Sequence, residues 1–135
     1  MPRAETHLRP QVALLATLDG LALMAFVLAG VRAHDEASAG AVFARNAIPL
    51  LVSWFGAALV SHVYREPSLR GLVRNWVVAV PIGLLARTWI VGSPSSVSRI
   101  ALFVAVGMAF TLLFLLIGRA IAAVIGRRIA DRAGV

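Results

Sequence analysis

A chain of 135 residues that is 60% hydrophobic and only 14% charged, with a mean hydropathy of +0.88, lies outside the make-up of a soluble domain and points to lipid as its solvent. It holds no cysteine, which excludes disulfides, thiolate metal sites, cysteine nucleophiles and iron-sulfur clusters. The net charge of +7 comes from arginine without lysine, and the arginines flank apolar runs with no interleaved aromatics. The partners this implies are the bilayer and anionic lipid headgroups, not nucleic acid.

Four apolar segments, 11–31, 46–63, 72–91 and 97–117, each approach the roughly 20 residues that cross a bilayer as a helix. A lone strand would leave its backbone groups unsatisfied in hydrocarbon, so helix is the sensible reading. Arg3 and Arg9 before the first run, and Ala37-Ser38-Ala39 after it, resemble a secretory signal with its cleavage site. The run is of spanning length, longer than the apolar core of about 7–15 residues in such signals, and is read as a retained first helix.

The three links are short: a polar and small-residue stretch over 32–45, YREPSLRG over 64–71, and GSPSS over 92–96. Short links force neighbouring helices antiparallel. The expected fold class is therefore all-α, an integral membrane protein with one domain over 1–135, a four-transmembrane-helix up-down bundle. Past residue 117, Ile121, Val124, Ile125 and Ile129 alternate with Arg119, Arg127, Arg128 and Arg132. This predicts a basic helical extension over 118–135 that lies along the membrane interface.

Arginine also sets the expected orientation. Arg3, Arg9, Arg65, Arg70, Arg74, Arg119, Arg127, Arg128 and Arg132 fall on one side, against Arg32, Arg45 and Arg99 on the other. By the positive-inside rule both termini are cytoplasmic, in a multi-pass protein of the plasma or inner membrane. Trp76 and Trp89, at the two ends of the third segment, read as interfacial anchors together with Arg119, Arg127 and Arg128. Pro81 falls well inside the third segment and predicts a kink, whereas Pro49 is expected in the first turn or two of the second helix. Small residues recur at four-residue spacing, as in Ser53, Ala57 and Ser61, Ala79 and Gly83, and Ala101, Ala105 and Ala109. Such stripes let backbones approach, either within the bundle or, on the fourth helix, in a homo-oligomer.

Ionisable residues inside a span cost about 2.5–3.5 kcal/mol on insertion scales and are functional candidates by default. Asp19 and Arg87 are the two here. Asp19 lies two residues from the midpoint of the first segment, hence near the expected bilayer centre, where desolvation favours a neutral carboxyl. That is the property a proton-coupled carrier requires. Arg87 lies toward the outer end of the third segment and reaches either back toward Asp19 or outward, in which case Asp19 is left protonated against a neighbour such as a backbone carbonyl.

The outer face gathers Arg32, His34, Asp35, Glu36, Arg45, Asn46, Arg87 and Arg99. It is either a vestibule for a polar or anionic solute, with His34 as its titrating group, or a solvated loop whose charges pair with one another. His34, Asp35 and Glu36 do not make a metal site, because three adjacent residues cannot all face one ion from a helix. No nucleophile elbow, phosphate loop, HExxH or haem-binding histidine pair is present, so neither an enzyme nor a cofactor is expected.

These residues also carry a resemblance. Asp19 in helix 1, Gly30, Arg32 and His34 at its end, Pro49 opening helix 2, Gly83 and Arg87 in helix 3, and Gly118-Arg119 closing helix 4 together resemble a family of bacterial and archaeal membrane proteins catalogued as domain of unknown function three-zero-five-four. The resemblance runs from about Leu18 to Arg119. The chain departs from the pattern at Thr88, where a second basic residue is expected, and at Ile117, where an aromatic is expected. The resemblance implies four transmembrane helices and no assigned activity, and selects Asp19, His34 and Arg87 as the residues to test. Two functions follow: a structural or accessory membrane subunit, alone or in a homo-oligomer or larger membrane complex, and alternatively a proton-linked carrier of a small solute or ion.

Overall fold

The helix boundaries follow from local chemistry. Ser68 holds an extended backbone (φ −136, ψ 155), and its Oγ accepts the Gly71 N–H at 3.0 Å, so it caps the start of a helix. Gly92 (φ 65) and His62 (φ 56) enter the left-handed region and stop the helices that precede them. At His62 the ring supports the turn, with Nδ1 2.9 Å from the Leu59 carbonyl oxygen.

The computed structural model describes residues 10–33, 39–65, 67–92 and 96–133, and all of its regular structure there is helical. The elements are α1 (Pro10–Ala33), α2 (Ala39–Ser61), α3 (Leu69–Val91) and α4 (Val97–Ala133). All four are long and apolar enough to cross a membrane. The chain is thus the all-α, four-helix protein that the hydropathy predicts.

Two boundaries differ from the sequence expectation. α2 starts at Ala39, seven residues before the expected position, because the alanine-rich AGAVFA stretch favours helix and turns Val42 into the core. Pro49 therefore stands nearly three turns inside α2, not in its first turns. α4 runs unbroken for 37 residues, about 55 Å against a hydrocarbon core of about 30 Å. Its basic end continues the helix axis with no break at Gly118, so the expected extension is part of α4 itself.

The helices form a ring in chain order. α2 packs broadly on α3 and α1 on α4, α1–α2 and α3–α4 meet more narrowly, and among the described residues the backbones of the diagonal pairs do not approach closely. Glycines set the closest approaches. A Cβ at Gly83 would come within 2.9 Å of the Leu50 Cα, so α2 and α3 cross there, and a Cβ at Gly118 would meet the Leu18 carbonyl oxygen of α1 at 3.4 Å. Of the small-residue stripes, Ala79, Gly83, Gly118 and Ala122 are buried in helix contacts, while Ala101, Ala105 and Ala109 are exposed.

Leu23, Trp54, Leu72 and Leu115 fill the interior, joined by the polar residues Asp19, Asn75 and Thr111. The outer surface carries large apolar side chains, among them Trp89 at 90% and Val60 at 83% exposure. An outer surface this rich in large apolar side chains departs from that of a water-soluble bundle.

Gly83→Ala is expected to push α2 and α3 apart and cost about 1–3 kcal/mol, read as a lowered thermal midpoint in detergent. Gly56→Ala, where a Cβ meets nothing within 4 Å, leaves the midpoint unchanged or slightly raised. Equal behaviour of the two variants would show that α2 and α3 do not cross at Gly83.

A buried ion pair as the candidate functional site

Asp19 is brought to its partners by the α1–α4 contact. Gly118 lets the two backbones approach, and the next residue, Arg119, extends from α4 to the α1 carboxylate, its Nη2 donating to Asp19 Oδ2 at 2.8 Å. The Asp19 side chain is completely buried and that of Arg119 is 18% exposed. The same Oδ2 accepts the Tyr64 O–H at 2.9 Å, and the Tyr64 oxygen accepts Trp54 Nε1–H at 3.0 Å. The Arg119 guanidinium also stands 5.8 Å from the centre of the Tyr64 ring. A directed chain of donors from Trp54 on α2, through Tyr64 in the α2–α3 turn, therefore ends on the α1 carboxylate, where the α4 guanidinium supplies the counter-charge.

Two atoms of this pair are buried without a hydrogen-bond partner among the described residues, Asp19 Oδ1 and Arg119 Nε. Burial, reinforced by the charge of Asp19, pushes the Tyr64 phenol above its ordinary range, so it remains a protonated donor through neutral and mildly alkaline pH. Polar contacts carry the network on to α3 and α4. Asn75 donates to the Trp54 carbonyl at 3.3 Å and accepts from Ser61 Oγ at 3.0 Å, and Trp76 Nε1 donates to the Met108 carbonyl and to Thr111 Oγ1, both at 3.2 Å.

This geometry corrects one expectation. Asp19 does not pair with Arg87, nor is it left with a backbone carbonyl: both of its partners are donors, and one is a cation. Asp19 stands close to the middle of α1, where the neighbouring Gly20 faces Phe55 of α2, and Tyr64 reaches it from the α2–α3 turn. Arg119 and Trp76, expected as interfacial anchors, make contacts between helices. Trp89, Arg127 and Arg128 are exposed, as anchors would be.

Arg87 belongs to the opposite end. Its Nε donates to Asn46 Oδ1, and its guanidinium lies 4.8 Å from the centre of the Phe103 ring. These three residues border a cavity of about 110 Å³ whose other walls include Phe26, Val27, Leu50 and Leu84. Arg32, Arg45 and Arg99 are exposed at this end, and His34, Asp35 and Glu36 lie outside the described residues. Among the described residues of the outer cluster, the structure thus brings together Arg87 and Asn46. Tyr64 and Trp54 are site residues that the sequence reading passed over, since neither is charged. The signal for Arg119 was the Gly118-Arg119 step itself, a residue that permits close approach followed by a long donor.

Taking two charges out of water is costly, and removing one partner of a buried pair leaves the other uncompensated. Asp19→Leu and Arg119→Leu are each expected to cost about 3 kcal/mol or more in thermal unfolding, with the double variant nearer to wild type than either single one. Additive losses would show that the two side chains do not interact. Tyr64 is the sole tyrosine of the chain, so a spectrophotometric titration reads it alone. No tyrosinate is expected near the ordinary pKa of about 10 while the protein is folded. The raised phenol contributes stability that is complete below about pH 10 and lost as pH rises further, so tyrosinate and unfolding appear together. A native tyrosinate step near pH 10 would rule out the buried hydrogen bond.

Comparison with known proteins finds no match among curated proteins and none among solved structures. A family model described as Protein of unknown function (DUF3054) matches residues 16–122, a stretch that takes in Asp19, Trp54, Tyr64, Arg87 and Arg119. The chain, with its buried ion pair inside the matched region, belongs to that uncharacterised family.

Proposed function

We propose that the protein is a multi-pass protein of the plasma or inner membrane, with both termini cytoplasmic, that serves as a structural or accessory membrane subunit. The observation that carries this reading is the state of Asp19, which is completely buried and held by two donors at a sealed contact between α1, α4 and the α2–α3 turn. An acid that works as a proton carrier needs access to water, and a carboxylate locked beside a guanidinium serves helix register better. Placing α1 inside-to-outside puts the end that holds this pair, together with Arg65, Arg70, Arg74, Arg127 and Arg128, on the cytoplasmic side, where anionic headgroups are attracted to arginine. The exposed stripe of Ala101, Ala105 and Ala109 supports a partner, since lipid gives no apolar drive and small residues are where a further helix packs closely.

A second reading, a proton-linked carrier of a small solute or ion, draws on the unpartnered Asp19 Oδ1. In it the modulating cation is Arg119, in place of Arg87. Proteoliposomes decide between the two. A pH gradient imposed across them is expected to decay at the protein-free rate, with wild type and Asp19→Asn alike, while mild extraction from native membranes and cross-linking recover the chain in a larger complex. Gradient-driven flux that Asp19→Asn abolishes would overturn the subunit reading in favour of the carrier.

A further inference from the structure

From the groove beside the ion pair we infer a binding site for one anionic phospholipid, a step that rests on the membrane reading above. A gap opens between α1, α4 and the start of α3 beside the α2–α3 turn. The gap is a groove of about 390 Å³, with Leu14 and Leu15 of α1, Leu69 and Leu72 of α3, and Ala123 and Gly126 of α4 on its walls. These walls suit an acyl chain.

The rim suits a phosphate. Ser68 lines the groove and caps α3, so the positive end of a 23-residue helix opens at its edge, with the first-turn N–H groups of Leu69 and Arg70 there. Arg70 and Arg127, each next in sequence to a groove residue, are both exposed. Arg119 forms part of the wall, and its buried Nε has no partner among the described residues. The acids at this end among the described residues are Asp19, already paired, and exposed Asp131, while Glu5 and Glu66 lie outside them. An apolar slot with a cationic rim is complementary to a single lipid that has an acyl chain and a negatively charged head. A zwitterionic lipid matches the slot and gains less at the rim.

The test uses the full chain, reconstituted in vesicles of equal phosphatidylglycerol and phosphatidylcholine with matched acyl chains, then extracted in mild detergent and weighed by native mass spectrometry. One phospholipid per chain is expected to survive extraction, phosphatidylglycerol over phosphatidylcholine by about tenfold. Gly126→Leu projects into the groove from a position where a Cβ meets nothing within 4 Å, and it is expected to lose the retained lipid while keeping its helix content. Ala123→Leu gives the same outcome from the neighbouring position. Arg70→Gln combined with Arg127→Gln keeps one lipid but lowers the preference to near parity. Equal retention of the two lipids by wild type, or undiminished retention in both groove-filling variants, would overturn the site. Failure of the wild-type chain to enter vesicles would overturn the membrane reading instead.

Discussion

The bundle depends on a constraint that only one arrangement satisfies: a buried carboxylate on α1 must meet a guanidinium 100 residues away on α4. Such a pair is weak evidence for stability, since desolvation consumes most of the attraction. Its contribution is register. Sliding α4 by one turn relative to α1 would strand both charges, and would also move Gly118 away from the Leu18 carbonyl that it allows α4 to approach. In a lipid solvent, apolar side chains discriminate poorly between neighbouring registers, because they are nearly as well solvated by acyl chains as by one another. The discrimination has to come from polar contacts and close backbone crossings, and this chain has both at the same place.

From that point the register passes around the ring. Tyr64 ties the carboxylate to the α2–α3 turn, Trp54 ties the turn to α2, Asn75 ties α3 to the Trp54 carbonyl, and Trp76 returns the chain to α4 through Thr111. Each link is a single side chain whose donors and acceptors match its neighbour's. The opposite end is built differently. There Arg87 is oriented by Asn46 and faces Phe103, around a cavity of about 110 Å³. One end is joined by a charged contact between α1 and α4, and the other by a neutral amide and an aromatic ring around Arg87.

Hydropathy makes the four helices legible because length and apolarity are what a bilayer demands, and α1 and α3 match the expected segments to within a few residues. It does not reveal that α2 reaches back to Ala39, where alanines flank a buried Val42, nor that α4 continues through its arginines. Asp19 was legible for the same reason that it is costly. Its partner was not. Depth reckoned along each helix separately does not say which helices pack together, and it is α4, not α3, that packs broadly on α1. That packing sets Arg119 beside Asp19, while Arg87 of α3 stands with Asn46 and Phe103. Tyr64 and Trp54 carry no charge, and a search for ionisable groups in spans passes over the neutral donors that complete such a site.

The locked pair and the groove beside it are coupled through Arg119, which belongs to both. Protonating Asp19 in place would leave a mostly buried guanidinium without its counter-charge, so proton binding and displacement of Arg119 must occur together. The space next to Arg119 is the groove, and an acyl chain lying there opposes that displacement. An empty groove permits it. Occupancy of the lipid site inferred above would therefore favour the closed register of α1 against α4. The same few residues would then decide whether Asp19 stays sealed or meets water, through the occupancy of a site that Asp19 itself does not line.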